Sequence, residues 1–97
     1  MLVTQHNAWV HVAATVIVTV AGLAVGLNAA DWKCLVVTIT IVWFAEAMNT
    51  AFEYLCDVVS PEHNEAVRHA KDIAAAAVLL CAIGAVVMGM LIFVPYL

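Results

Sequence analysis

The chain predicts an all-α membrane protein with three transmembrane helices, and three observations carry that expectation. Of its 97 residues, 67% are hydrophobic and only 10% are charged, which leaves too little polar surface to clothe a soluble domain. The mean hydropathy is +1.10. The run from Ile73 to Val94 contains no charged residue and is long enough to cross a hydrocarbon core of roughly 30 Å.

The first apolar segment covers about residues 8–27. No basic region followed by a small-residue cleavage site marks the amino end, so this segment is expected to stay as an anchor rather than leave as a signal peptide. The second covers about 32–55 and the third about 73–94; none alternates strictly, as barrel strands must. Together they predict one integral-membrane domain over residues 1–97. Asn28, Ala29, Ala30 and Asp31 join the first two segments. Asn28 suits a cap on either helix and Asp31 suits the positive amino end of the second, so the pair forms a tight helical hairpin. The second joint, DVVSPEHNEAVRHAKD, is longer and polar. There Ser60 reads as an N-cap and Pro61 as the first helical residue of the third helix. A helix starting at Pro61 carries Glu62, His63, Glu65, Arg68, His69, Lys71 and Asp72 in its first turns, and these must project into water.

Three crossings put the amino end and the 58–72 region on one side, with the Asn28 turn and the carboxyl end on the other. Arg68 and Lys71, against Lys33 alone on the far side, favour the 58–72 side as cytoplasmic. Trp9, Trp32 and Tyr96 fall where interfacial aromatic anchors are expected. The run Ala74 to Ala77 would let another helix approach closely, and Met88, Met90, Gly84 and Gly89 read as packing within the third span.

Some function classes drop out. The net charge is −4 and gathers mostly between Glu46 and Asp72; no basic patch exists to meet phosphates, so nucleic acid is not an expected partner. Cys34, Cys56 and Cys81 are odd in number and lack CxxC spacing, which supports neither a disulfide framework nor a zinc site. His6 and His11 stand five apart, a poor metal spacing on a helix, and read as interfacial.

The stretch EAMNTAFEYLCD breaks the apolar pattern. At about 100° per residue, Glu46, Asn49, Glu53 and Asp57 share a narrow sector of one helix face, with Thr50 on its flank. Ionised carboxylates at that depth must face protein, a metal ion or a water-filled cleft. One reading is helix-helix glue, with Asn49 bonding across an interface and Glu46 protonated. The other starts from charge. Arg68 and Lys71 are too few to neutralise Glu46, Glu53, Asp57, Glu62, Glu65 and Asp72, and hard oxygen ligands suit Mg²⁺, which binds through one or two carboxylates and completes its shell with water and phosphates. Desolvation is the general means by which a carboxylate becomes a base useful near neutral pH, and Glu46 lies deepest. Lys71 and Arg68 could then meet phosphate oxygens. His63 and Asn64 can equally be plain solvated turn residues.

EAMNTAFEYLCD, a short polar loop and then AKDIAAAAVLL closely resemble the signature of the small prokaryotic diacylglycerol kinase and undecaprenol kinase family. The signature falls on Glu46, Asn49, Thr50, Glu53, Asp57, Lys71 and Asp72 with its spacing intact. HNAWVH is similar to the family's segment before its first span, and the Asp31-Trp32 turn is similar too, so the resemblance covers essentially the whole chain. It implies three transmembrane helices assembling as a homotrimer, with active sites shared between neighbouring subunits at the cytoplasmic face of the bacterial inner membrane. It further implies Glu46 as the base that takes the lipid hydroxyl proton, Glu53 as a metal ligand, and Asn49 and Lys71 as groups that position substrate and phosphate. Asp57 and Asp72, with Glu62, His63 and Asn64 from the loop, would line the nucleotide site.

Two departures qualify this. Where the family usually has a second metal-binding glutamate before the first span, this chain has Gln5, which keeps an oxygen donor but loses the charge and lowers the expected metal affinity. The few residues before HNAWVH are too short for the family's amphipathic surface helix, which is therefore expected to be absent. Phe52 and Cys56 stand where the signature is usually aliphatic, a change to packing more than to chemistry. The leading expectation is an ATP- and Mg²⁺-dependent lipid kinase acting on the hydroxyl of diacylglycerol or undecaprenol. The alternatives are a small oligomeric proton-coupled transporter with Glu46 as carrier carboxylate, or an inactive kinase homologue serving as an assembly component.

Overall fold

The computed structural model describes residues 2–97, with side chains from Ala8 onward. Three helices follow in order, α1 (Leu2–Val25), α2 (Ala29–Val59) and α3 (Glu65–Phe93), and a 3-10 turn over Val94–Tyr96 closes the chain. No strand occurs among the described residues. All three helices are long and apolar enough to cross a membrane, where only a helix or a closed barrel satisfies every backbone polar group. Four threonines inside the spans follow the same rule. Thr15, Thr19, Thr38 and Thr40 each donate the hydroxyl proton to the carbonyl four residues back, at 2.7–2.8 Å, so they add no unpaired group to the apolar zone.

Helix α1 ends at Gly26, whose φ of 71° is open at little cost only to glycine. The Gly22 carbonyl accepts from the N–H of Gly26 at 3.0 Å and of Leu27 at 3.2 Å, closing the helix in the manner typical of a left-handed C-terminal residue. Gly22 has a packing reason as well: a Cβ there would sit 2.9 Å from Leu27 Cδ1 and from the Trp32 ring. The Asn28 side chain then caps α2 by accepting from the Asp31 N–H at 2.8 Å, as the sequence predicts.

The second joint differs from expectation. Ser60 does not open α3. It closes α2, donating its N–H to the Cys56 carbonyl at 2.8 Å, and its hydroxyl bonds the Glu62 carbonyl at 3.2 Å. The N-cap of α3 is Asn64, whose side chain accepts from the Val67 N–H at 3.2 Å. Pro61 disfavours helical backbone in the residue before it, which fits Ser60 as a stop, while Asn64 offers a capping side chain with Glu65 in the first turn behind it. Glu62, His63 and Asn64 therefore belong to the connector and not to the helix.

At about 1.5 Å per residue, α2 extends roughly 46 Å, well beyond an apolar core of roughly 30 Å. The molecule is correspondingly elongated, 51 × 20 × 18 Å. α2 and α3 pack antiparallel along their length, while α1 touches α2 over a shorter stretch. The small buried core, Leu27, Leu35 and Ile92, lies at the Asn28 end with Val18, Trp32, Ile39, Met88, Phe93 and Tyr96 packed around it. Most other large apolar side chains, among them Ile17, Leu23, Phe44, Leu80 and Leu91, face outward, as suits contact with lipid or with another helix.

Candidate functional site

The sequence places the polar stripe on the half of α2 that leads to the 60–64 connector, and the structure grades it by depth. Glu46 is buried, Asn49 and Glu53 are half-buried, and Asp57 is exposed. The hairpin register brings α1 back beside the deepest member. Glu46 Oε2 lies 3.4 Å from His11 Nε2, with side chains only 12% and 19% exposed. Trp43, one turn before Glu46, packs against the imidazole with ring centroids 5.7 Å apart and planes inclined 54°. Its indole Nε1 donates to Thr15 Oγ1 at 3.0 Å, which fixes the ring between α1 and α2. One chain thus screens its own deepest carboxylate.

A cleft of about 430 Å³ opens beside Glu46, walled by Ala8, Trp43, Ala47, Thr50, Ala51 and Tyr54. Its lining is almost wholly hydrocarbon and aromatic. A second cavity, about 230 Å³, lies on the other side of Trp43, between His11, Val18, Leu35 and Val86.

One turn along the stripe, Asn49 Nδ2 reaches Glu53 Oε1 at 3.5 Å. The Asn49 carbonyl oxygen is buried without a hydrogen-bond partner, a costly state that calls for a donor or a cation. This bears on Mg²⁺. Glu53 offers one carboxylate and Asn49 an unsatisfied neutral oxygen, while no group of three His, Cys, Asp or Glu side chains converges among the described residues. Such a donor set fits a Mg²⁺ ion that takes one or two protein ligands and completes its shell with phosphates and water, and does not fit an all-protein cage. Gln5, the other expected metal ligand, lies outside the described residues, since its side chain is not among them.

At the water end, Lys71 Nζ donates to Asp57 Oδ1 at 2.8 Å, tying the last turns of α2 to the first turns of α3. This side chain contact lies outside the apolar segments, and the Asp57 carboxylate raises the Lys71 ammonium above its ordinary value. The remaining loop charges form a separate cluster on α3. Arg68 donates to Glu65 at 3.0 Å and to Asp72 at 3.2 Å. His63 Nε2 lies 2.8 Å from Glu65 Oε1, and His69 lies 3.8 Å from Glu65 Oε2. Arg68 first, then His63, hold the Glu65 carboxyl below its ordinary range.

The structure therefore joins Asn49 with Glu53 and Asp57 with Lys71, and it groups His63 and Asp72 with Glu65 and Arg68. Asn64 is occupied as a cap, and Glu62 is exposed beside it. Trp43 and Thr15 are additions that the sequence did not single out, and His11, read there as interfacial, is half-buried against Glu46 instead. Their signal is the hairpin itself: with the turn at residues 26–28, counting back along α1 and forward along α2 brings residue 11 level with residue 43, and Glu46 lies one turn further along α2.

The sequence model of the family described as prokaryotic diacylglycerol kinase matches residues 1–93. The chain is 34% identical over 94 residues to an undecaprenol kinase of Bacillus subtilis, an alignment covering 97% of this chain and 76% of that protein. It is 38% identical over 93 residues to a diacylglycerol kinase of Synechocystis sp., covering 95% of this chain and 53% of the relative, so the chain spans about half the length of that protein. No solved structure matches it.

Proposed function

Because the chain belongs to the prokaryotic diacylglycerol kinase family, we propose that it is a multi-pass membrane kinase transferring the γ-phosphoryl group of ATP to the hydroxyl of a membrane lipid alcohol, a polyprenol or a diacylglycerol. The membrane class follows from three apolar helices together with the family. The observation that carries the reaction is the depth grading along α2: Glu46 lies buried against an apolar cleft, while Lys71 and Asp57 stand at the water end. A lipid reaches Glu46 from the hydrocarbon, and a nucleotide reaches Lys71 from water.

In this reading Glu46 accepts the proton as the acceptor O–H bond breaks. The acceptor oxygen forms a bond to the γ-phosphorus, and the bond to the bridging oxygen breaks with its electron pair leaving on ADP. Little covalent chemistry falls to the protein in such a transfer, so positioning and charge neutralisation dominate. Lys71 meets phosphate oxygens as a compact cation, exchanging Asp57 for the nucleotide. Glu53 and the unsatisfied Asn49 oxygen, with Gln5, would hold Mg²⁺, which would supply charge neutralisation on the transferring phosphates. Asp72, Glu62, His63 and Asn64 border the nucleotide from α3 and the connector.

The site is read as facing the cytoplasm of a bacterial inner membrane, with Arg68 and Lys71 on that side. Assembly as a homotrimer would cover the outward apolar faces and the half-buried Glu53. Within one chain α1 already shields Glu46, so the drive for assembly comes from those surfaces and not from the deepest carboxylate.

The test supplies purified protein in detergent micelles with γ-labelled ATP, Mg²⁺ and either a short-chain diacylglycerol or a short polyprenol. Label is expected in the organic phase with at least one acceptor, and the ratio between them assigns the lipid. Label in neither, from protein that is folded and monodisperse, would overturn the kinase reading.

A further inference from the structure

The reading of Glu46 as a base leaves open how a single glutamate at this depth is held with one oxygen ready for a hydroxyl proton. The contact from α1 answers it. His11 Nε2 stands 3.4 Å from Glu46 Oε2, an ion-pair distance without the alignment of a made hydrogen bond, and catalytic contacts are often loose or poorly aligned before substrate tightens them. The imidazole is itself fixed: Trp43 packs against it, the Trp43 indole is anchored on Thr15, and the Thr15 hydroxyl returns to the His11 carbonyl at 2.7 Å. His11 and Glu46 thus close a ring of contacts between α1 and α2 in which every other member already has its partner.

We propose that His11 is a positioning residue of the acceptor site, donating its Nε2–H to Glu46 Oε2 and so orienting the carboxylate with its second oxygen free to take the acceptor proton. The proposal rests on the reading of Glu46 as the base. It explains why the buried carboxylate needs no cation from α3, which carries no charged side chain between Ile73 and Val94. Glu53 lies two turns further along α2 and is engaged by Asn49. It also gives the α1 helix a part in the chemistry, although α1 contacts the rest of the molecule least. A rotated Glu46 would aim its oxygens at the cleft wall, and misorientation of a reacting group lowers kcat far more than it alters nucleotide binding.

Two substitutions separate donation from space filling. His11→Gln keeps an N–H donor at about the reach of Nε2 but loses the ring against Trp43. His11→Phe keeps the ring and loses the donor. The expected result is a fall in kcat of about ten- to a hundredfold for His11→Phe, the range for losing a hydrogen bond to a charged group, with KM for ATP unchanged. His11→Gln should recover most of the turnover. A structural role would give the reverse order, and His11→Phe with wild-type kcat, or His11→Gln as impaired as His11→Phe, overturns the proposal. Glu46→Gln is assayed beside them. If it keeps wild-type turnover, the base reading itself fails. If it loses turnover while His11→Phe keeps it, only the role of His11 fails.

Discussion

The two ends of the helical bundle solve different problems. At the Asn28 end, polar groups are few, and Asn28, Asp31 and Tyr96 are bonded to one another. Tyr96 donates its hydroxyl to Asp31 Oδ2 at 2.7 Å and accepts from the Asn28 N–H at 3.3 Å, joining the carboxyl end to the hairpin over the Leu27, Leu35 and Ile92 core. At the Glu46 end the core thins out, the polar groups multiply, and one buried oxygen, Asn49 Oδ1, has no partner. Native chains seldom leave such groups unsatisfied without a reason. The difference teaches that the first end holds the fold and the second holds groups waiting for substrate, so substitutions at the two should separate cleanly into effects on stability and effects on turnover.

The sharpest test of that division is Glu46→Gln. The substitution keeps shape and removes the base, so turnover should fall about 10²–10⁴-fold, the usual contribution of a general base, while the oligomeric state by size exclusion and the melting temperature stay as in the parent. A large drop in melting temperature would instead make Glu46 part of the fold. Next comes Lys71→Met. Lys71 is paired with an exposed carboxylate, a contact that contributes little to stability, but in the kinase reading it meets ATP. KM for ATP should rise about ten- to a hundredfold, with Asp57→Asn having a smaller effect and adding little to the double variant, because the two act through one contact. Asp57→Asn matching Lys71→Met would mean that the pair is only a strut between α2 and α3. Glu53→Gln follows, with an expected rise of about tenfold in the Mg²⁺ concentration for half-maximal activity, since the carboxylate becomes a neutral oxygen while Asn49 stays. An unchanged Mg²⁺ requirement would remove Glu53 from the metal site.

Much of this division is legible in the sequence, and what is not has a physical cause. The three helices follow from apolar length, and the depth order of Glu46, Asn49, Glu53 and Asp57 follows from helical periodicity alone, because both are local properties. The Asn28 cap is legible for the same reason. The start of α3 is not, because Ser60-Pro61 and Asn64-Glu65 are both sound helix openings and the choice depends on how far α2 runs before it stops. The contact of His11 with Glu46 is also hidden: spacing within one helix made His6 and His11 a poor metal pair, and only the register of the hairpin turns His11 toward another helix. The separation of Asp57-Lys71 from the Glu65, Arg68 and Asp72 cluster depends likewise on which way α3 faces α2, a tertiary fact that neighbouring positions in a charged loop do not encode.

The smallest expected effect asks whether the two ends communicate. Tyr96→Phe removes one hydroxyl that serves both Asp31 and the Asn28 N–H, leaving the ring to pack on the core. The loss should lower the melting temperature by a few degrees, because a hydrogen bond to a carboxylate is stronger than a neutral one, though the site is partly wet. Turnover per folded protein should not change. The reasoning is geometric: the latch and Glu46 are separated by several helical turns of α2 between Asp31 and Glu46, and the packed core of Leu27, Leu35 and Ile92 sits beside the latch and holds the helices together there without it. If turnover falls together with stability, then α2 and α3 act as a rigid pair whose spacing at the Asn28 end sets the approach of Lys71 to Asp57 at the other. The functional end would then depend on the fold end for its geometry, and the division between them would be one of degree.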